Sequence, residues 1–216
     1  MEKTRNLTSK ELICFSQRIA EIWNESRIPY PVHLAGGNEE QLIQIFREIR
    51  EGDWIFSNHR SQYHYLLAGG SQQVLEEKIL AGKSMHIFDK KLNFFTSAIL
   101  AGCCGIAAGT AYALKNRKDS RKVWCFLGDG AEDEGHFYEA VRYVDGWDLP
   151  CTFIIEDNNR SVETAKKERY GKSEMKWPDC VRRYAYAPTY PHVGTGKWLD
   201  TSKLRGLDDS RPGVSF

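Results

Sequence analysis

Residues 123–159 read VWCFLGDGAEDEGHFYEAVRYVDGWDLPCTFIIEDNN, and their order decides the fold. Two short apolar runs, 123–127 (VWCFL) and 151–155 (CTFII), have the unbroken hydrophobicity that strands covered on both faces require. Between them Phe137, Ala140, Val141 and Val144 fall at i, i+3, i+4 and i+7, and Gly146 follows in a helix-stop position. Two strands joined by one helix are expected to be parallel with a right-handed crossover, so their C-terminal ends share one edge of the sheet. In open α/β sheets that edge binds ligands. The expected fold class is therefore α/β, with a mostly parallel central sheet flanked by helices.

What stands at those strand ends carries the chemistry. Gly128-Asp129-Gly130 follows the first run and Glu156-Asp157-Asn158-Asn159 the second, which puts Asp129 beside Asn158. A carboxylate oxygen, an amide oxygen and one backbone carbonyl make half of an octahedral oxygen shell, which Mg²⁺ completes from phosphates and water. The glycines let the backbone approach a diphosphate closely, and a helix starting near Glu134 directs free N–H groups and its positive end at the anion. Each motif alone is also an ordinary turn composition; their joint placement favours a diphosphate site. Gly82-Lys83-Ser84 is no phosphate loop, because Glu77 stands where the first glycine belongs and a helix precedes it.

Working outward, 98–114 reads as a buried small-residue helix and 115–122 (KNRKDSRK) as a solvated connection. Leu12, Phe15, Ile19, Ile22 and Trp23 form the apolar face of a helix over 12–23, capped by Thr8 or Ser9. A loop is expected at 29–37, helices over 39–50 and 72–80, and a short extended piece at 53–58 followed by the polar stretch 59–64. Residues 1–176 are expected to form the binding domain. Residues 177–216, with Pro178, Pro188, Pro191 and Pro212, are read as an irregular, partner-binding extension with one extended piece near 182–186.

Composition bounds the rest. With 216 residues, 41% hydrophobic and 27% charged, the chain can bury a globular core. Thirty basic against 29 acidic residues leave a net charge of +1, so no overall field draws it to nucleic acid or an anionic membrane. Six cysteines without a CxxC pair suit reduced thiols, and with 1–10 lacking an apolar leader the expected location is cytoplasmic.

The same residues carry a family resemblance. GDG followed by EDNN resembles the thiamine diphosphate signature, and the wider run resembles the alpha subunits of the decarboxylating component of 2-oxo acid dehydrogenases, the pyruvate and acetoin enzymes included. His33-Leu34 with Gly37 and Glu39, the run 56–61 (FSNHRS) with His64-Tyr65-Leu66 and Gly69-Gly70, and 84–89 (SMHIFD) with Asn93-Phe94 and 97–99 follow the family order, over about 31–160. The resemblance implies a three-layer thiamine diphosphate-binding fold. It implies that Asp129 and Asn158 bind Mg²⁺ through side chains and Arg160 through its carbonyl, and that Gly130 and Ala131 offer N–H groups to the diphosphate. Arg60 would add a guanidinium, with His59 as a phosphate neighbour and Leu100 against the aminopyrimidine. His33, His64 and His86 are the candidate catalytic imidazoles.

The implied reaction is decarboxylation of a 2-oxo acid and transfer of the acyl or aldehyde unit. A beta-type partner would supply the activating glutamate, assembly would be heterotetrameric, and a lipoyl-domain acyltransferase is a candidate acceptor. The stretch before Ser84 and the segment after Asn158 are shorter than in that family. Arg160-Ser161-Val162-Glu163 also resembles transketolases, which makes a split ketol transferase the alternative, and a non-catalytic regulatory relative the alternative of another class. His136 and Glu139 are read as solvated, and His192 as a weaker candidate neighbour of the diphosphate.

Overall fold

The computed structural model describes residues 7–170 and 175–197. Its sheet is a ribbon of six strands in which β1 (Trp54–Ser57), β3 (Phe94–Thr96), β4 (Val123–Gly128), β5 (Cys151–Asp157) and β8 (Val181–Ala185) run parallel. A two-residue strand β2 (Phe88–Asp89) adds antiparallel beside β3, giving the order β2-β3-β1-β4-β5-β8. A separate small hairpin, β6 (Arg160–Ser161) with β7 (Thr164–Ala165), follows β5.

Helices cover both faces. On one lie α1 (Ser9–Asn24), α2 (Glu39–Phe46), α3 (Gln62–Leu67) and α4 (Gln72–Leu80), and on the other α5 (Cys104–Asn116) and α6 (Gly135–Gly146). A five-residue helix α7 (Lys166–Tyr170) follows β7. The pleat assigns alternate strand residues to the two cores. Ile55, Phe94, Trp124, Phe126 and Ile154 join the α1–α4 layer, while Phe56, Val123, Cys125, Leu127, Phe153 and Ile155 join the α5–α6 layer. The expected three-layer α/β architecture is what the chain forms.

Local chemistry explains most of the boundaries. Thr8 caps α1 with a reciprocal capping box to Glu11. The expected strand–helix–strand unit stands at β4, α6 and β5, extended by a 3₁₀ turn at Ala131–Asp133. Three expectations need correction. The helix read over 98–114 begins only at Cys104, because Ala101 takes a left-handed conformation (φ 51) and 97–103 turn around the end of β3. The polar stretch 59–64 runs into a fully buried helix, α3, since Gln62 and His64 have internal partners. The extended piece expected near 182–186 stands as β8, but it is not a separate extension, since Val181–Ala185 pairs with β5 over five residues; 198–216 lie outside the described residues.

Gly37 (φ 94) shows how that return is seated. A Cβ there would collide with the Ala187 carbonyl, and Thr189 N–H donates to Gly36 O (3.2 Å) and Gly194 N–H to Val32 O (2.8 Å). Residues 186–194 thus lie across the 32–37 loop. Among the described residues no helix is long and apolar enough to cross a membrane.

Candidate active site at the sheet edge

From β1 the chain moves outward to β3 and then returns across β1 to β4, so the strand order switches direction between β1 and β4. A cleft of about 240 Å³ opens at this edge, where open α/β sheets place their ligands. Its lining includes Asn58, Asp129, Gly130, Glu156 and Asn158 from the strand ends, with Leu100, Arg160, Tyr186 and His192 from the surrounding loops. The sheet register pairs Gly128 with Glu156, which sets Asp129 and Asn158 on neighbouring loops of one cleft.

One wall is acidic and internally compensated. Asp129 is buried, and its Oδ2 accepts from Arg169 at 2.7 Å. The same guanidinium stands 2.9 Å from Asp133. Asp129 Oδ1 is enclosed and has no hydrogen-bond partner. Burial raises the Asp129 carboxyl above its ordinary range, reinforced by Asp157 and opposed by Arg169. Asp157 meets Lys166 at 2.5 Å and Arg183 at 2.6 Å. Burial alone would push its carboxyl up, but Lys166, the Asn159 N–H and Arg183 together hold it lowered. Glu132 bonds Arg183 and accepts from Trp177 Nε1 (2.6 Å).

The loops of this wall approach closely. A Cβ on Gly130 would meet the Ser161 side chain and Arg169, so glycine is needed here for space. Asn158 Oδ1 accepts from Arg160 N–H (3.0 Å), and Asn159 sits in the left-handed region (φ 64), which sharpens the turn into β6.

The other wall carries histidines. His33 Nδ1 meets the His192 carbonyl at 2.6 Å. The His33 ring lies 4.7 Å from that of His59 and 4.5 Å from that of His192. Burial pushes the His33 imidazole down to about 4; His59 and His192 are lowered by burial too, with Arg60 acting on all three. Arg60 lines the cleft and reaches the Pro191 carbonyl at 3.5 Å.

The expected residues are therefore not all alike. Asp129, Gly130, Ala131, Asn158, Arg160, Arg60, His59, His33 and Leu100 line one cleft. His64 does not. It is buried behind the floor, bonded to Ser57 Oγ (2.7 Å) and Glu156 (3.2 Å) and stacked on Phe126, because α3 turns that face inward. His86 is exposed and outside the lining; its backbone N–H closes a turn on Lys83 O and only Met85 reaches the cleft. His136, read as merely solvated, bonds the Leu100 carbonyl at 2.8 Å.

Sequence reasoning passed over Arg169, Glu156, Tyr184 and Tyr186. Glu156 is buried and accepts from Asn38 (3.0 Å), Asn58 (3.2 Å) and Tyr184 (2.6 Å) as well as facing His64. Burial raises the Tyr186 hydroxyl to about 12, seconded by Glu156. The only signal for Glu156 was its place in EDNN. Arg169 had none, lying in a charged run that reads as solvated.

Comparison with known proteins adds to this geometry. The dehydrogenase E1 component family matches residues 9–177. The chain is similar to the alpha subunit of acetoin:2,6-dichlorophenolindophenol oxidoreductase from Bacillus subtilis (strain 168), 28% identical over 164 residues, covering 71% of this chain and 49% of the relative. The same-named subunit from Cupriavidus necator is 30% identical over 162 residues (70% and 49%). The pyruvate dehydrogenase E1 component subunit alpha of Rickettsia prowazekii is 28% identical over 161 residues (70% and 49%). The chain spans about half the length of the curated relatives it matches.

Proposed function

The chain belongs to the dehydrogenase E1 component family, and from that membership we propose that it is the diphosphate-binding, alpha-type part of a thiamine diphosphate-dependent enzyme acting on a 2-oxo acid. The reaction is decarboxylation followed by transfer of the acyl or aldehyde unit, an oxidoreductase step in the pyruvate and acetoin systems. A beta-type partner completes the site and supplies the activating glutamate, in a heterotetramer. A lipoyl-domain acyltransferase is the acceptor in the dehydrogenase-complex form of this reading. A cytoplasmic location belongs to the same proposal.

The observation that carries it is Asp129. Its carboxylate is buried, one oxygen faces a cation, Arg169, and the other has no partner. A buried carboxylate oxygen without a donor is costly, and a hard divalent cation is the group whose chemistry suits it. The residues present therefore fit Mg²⁺ with a diphosphate. Asp129 and Asn158 hold the metal by side-chain oxygens and Arg160 by its carbonyl. Gly130 and Ala131, at the turn before α6, present backbone N–H groups to the phosphates, and Arg60 adds forked donors from the opposite wall. His59 borders the phosphates and Leu100 contacts the aminopyrimidine.

Thiamine diphosphate, when bound, supplies the carbanion-stabilising chemistry that releases carbon dioxide from a 2-oxo acid. The chain's own contribution is positioning. His33 donates Nδ1–H to the His192 carbonyl, which leaves Nε2 with a free lone pair. His64 acts behind the floor by orienting Glu156. Residues 186–194 line the far side of the cleft through Tyr186 and His192.

Calorimetry of the full chain with thiamine diphosphate, with and without Mg²⁺, tests the reading. Mg²⁺-dependent binding is expected, with carbon dioxide release from a 2-oxo acid only after mixing with a beta-type chain. No thiamine diphosphate binding, even with the partner present, overturns it; turnover of a ketose phosphate in place of a 2-oxo acid would support the transketolase-like alternative.

A further inference from the structure

His33, His59 and His192 come from three separate segments, the loop before α2, the β1–α3 connection and the return after β8, yet they converge. Each offers one ring nitrogen, and these nitrogens all lie within 4.8 Å of one another. Among the described residues no other group of histidine, cysteine or carboxylate side chains meets this condition. A tetrahedral metal at its usual distance from imidazole sets ligand nitrogens about 3.4 Å apart, so small rotations of the rings close the set.

The rings are also in the right chemical state. A carbonyl oxygen can only accept, so the 2.6 Å contact between His33 Nδ1 and His192 O fixes the His33 tautomer and frees Nε2 as a lone pair. A ligating histidine ordinarily has its other ring nitrogen held in this way by a carbonyl or carboxylate. His59 Nε2 is enclosed and has no hydrogen-bond partner, an arrangement that a ligand relieves. Burial lowers all three imidazoles, with Arg60 acting in the same direction, which favours the neutral form that coordinates.

We propose that His33, His59 and His192 form a three-imidazole site for a divalent transition metal of the Zn²⁺ class, with a fourth position open to the cleft for an anionic oxygen. Three nitrogen ligands without a carboxylate select against Mg²⁺ and Ca²⁺, which take oxygen shells. Arg60 borders the same rings and lines the same cleft, so a carboxylate or phosphoryl oxygen bridging metal and guanidinium offsets part of the positive charge that the two bring together. The three-protein-ligand pattern is that of a metal that keeps a position for substrate or water. The site uses neither Asp129 nor Asn158, but it shares the cleft, and His59 and Arg60, with the proposed diphosphate site, so the two readings are tested separately.

The test titrates Co²⁺ into the chelator-treated full chain in excess Mg²⁺, reading d–d absorption and bound metal by mass spectrometry. One Co²⁺ per chain with four-coordinate bands is expected, displaced by Zn²⁺. His59→Ala and His192→Gln should each weaken binding tenfold or more, whereas His136→Ala and Asp129→Asn should not change it. No Co²⁺ bands in the parent protein, or equal affinity in the His59 and His192 variants, overturns the site. Calorimetry with thiamine diphosphate on the metal-free samples reports on the Mg²⁺ reading separately, and circular dichroism of each variant shows that a loss of binding is not a loss of fold.

Discussion

At the ends of β4 and β5 the carboxylates of Asp129, Glu132, Asp133 and Asp157 stand against Lys166, Arg169 and Arg183, whereas at the end of β1 three imidazoles stand around one guanidinium, Arg60. The first wall is charged and compensated by cations that arrive later in the chain. The second carries the one positive charge of Arg60 beside imidazoles that keep lone pairs. A cation entering the acidic wall meets one unpartnered oxygen of Asp129 beside an oxygen that Arg169 already holds, while a ligand entering the histidine wall meets imidazoles beside a guanidinium. One cleft thereby combines a site that charge governs with a site that proton occupancy governs.

The largest effect expected is on the acidic wall. Asp129→Ala leaves Arg169 beside a lost partner in a buried setting, and breaking such a pair costs about 3–5 kcal/mol. Urea denaturation should show that loss together with disappearance of Mg²⁺-dependent thiamine diphosphate binding; an unaltered midpoint would mean that Asp133 alone suffices for Arg169.

The histidine wall responds to pH instead. His33 is held at about 4 by burial, against about 6.5 in an unfolded chain. The folded state refuses a proton that the unfolded chain accepts, so stability is full above pH ~6.5 and is lost as pH falls toward ~4, by about 3 kcal/mol for this group. His59 and His192 add in the same direction. Denaturation midpoints of the parent and His33→Gln should diverge least in that acid range and most at neutral pH, and parallel curves would contradict the burial account.

Two adjacent residues of β8 sharpen the contrast further, because the pleat sends them to opposite faces. Arg183 ties Glu132 and Asp157 on the acidic wall, and Arg183→Ala should cost about 2 kcal/mol through lost charge-assisted bonds. Arg182 pairs with Glu48 at 2.8 Å with both side chains well exposed, so Arg182→Ala should cost only about 0.5 kcal/mol. Thermal unfolding of the pair, side by side, checks the ranking.

Legibility followed the same division. The β4–α6–β5 unit could be read because its strands are continuously apolar and its helix has a clean period, and the strand ends then placed Asp129 with Asn158. The helix α3 could not, because Gln62, His64 and their neighbours look solvated until their partners His33 O, Ser57 and Glu156 are known. Arg169 was hidden for a related reason: nothing in KKERY separates a buried ion-pairing arginine from an exposed one. His192 looked marginal because its spacing differs from that of the family histidine it resembles, and its contact with His33 spans 159 residues, which no local pattern reports.

The amino-acid order by itself determined the α/β class, the sheet edge at which the cleft opens, the placing of Asp129 with Asn158 there and the resemblance to a family. Those features rest on periodicity and on strand-end chemistry, which are local. Only the tertiary structure decided that 181–185 complete the sheet, that His64 stands behind the floor, that Arg169 occupies one oxygen of Asp129, and that three histidines meet. Each of these depends on which distant segments share a boundary, and burial and pairing change a side chain's protonation and partners only once that boundary exists.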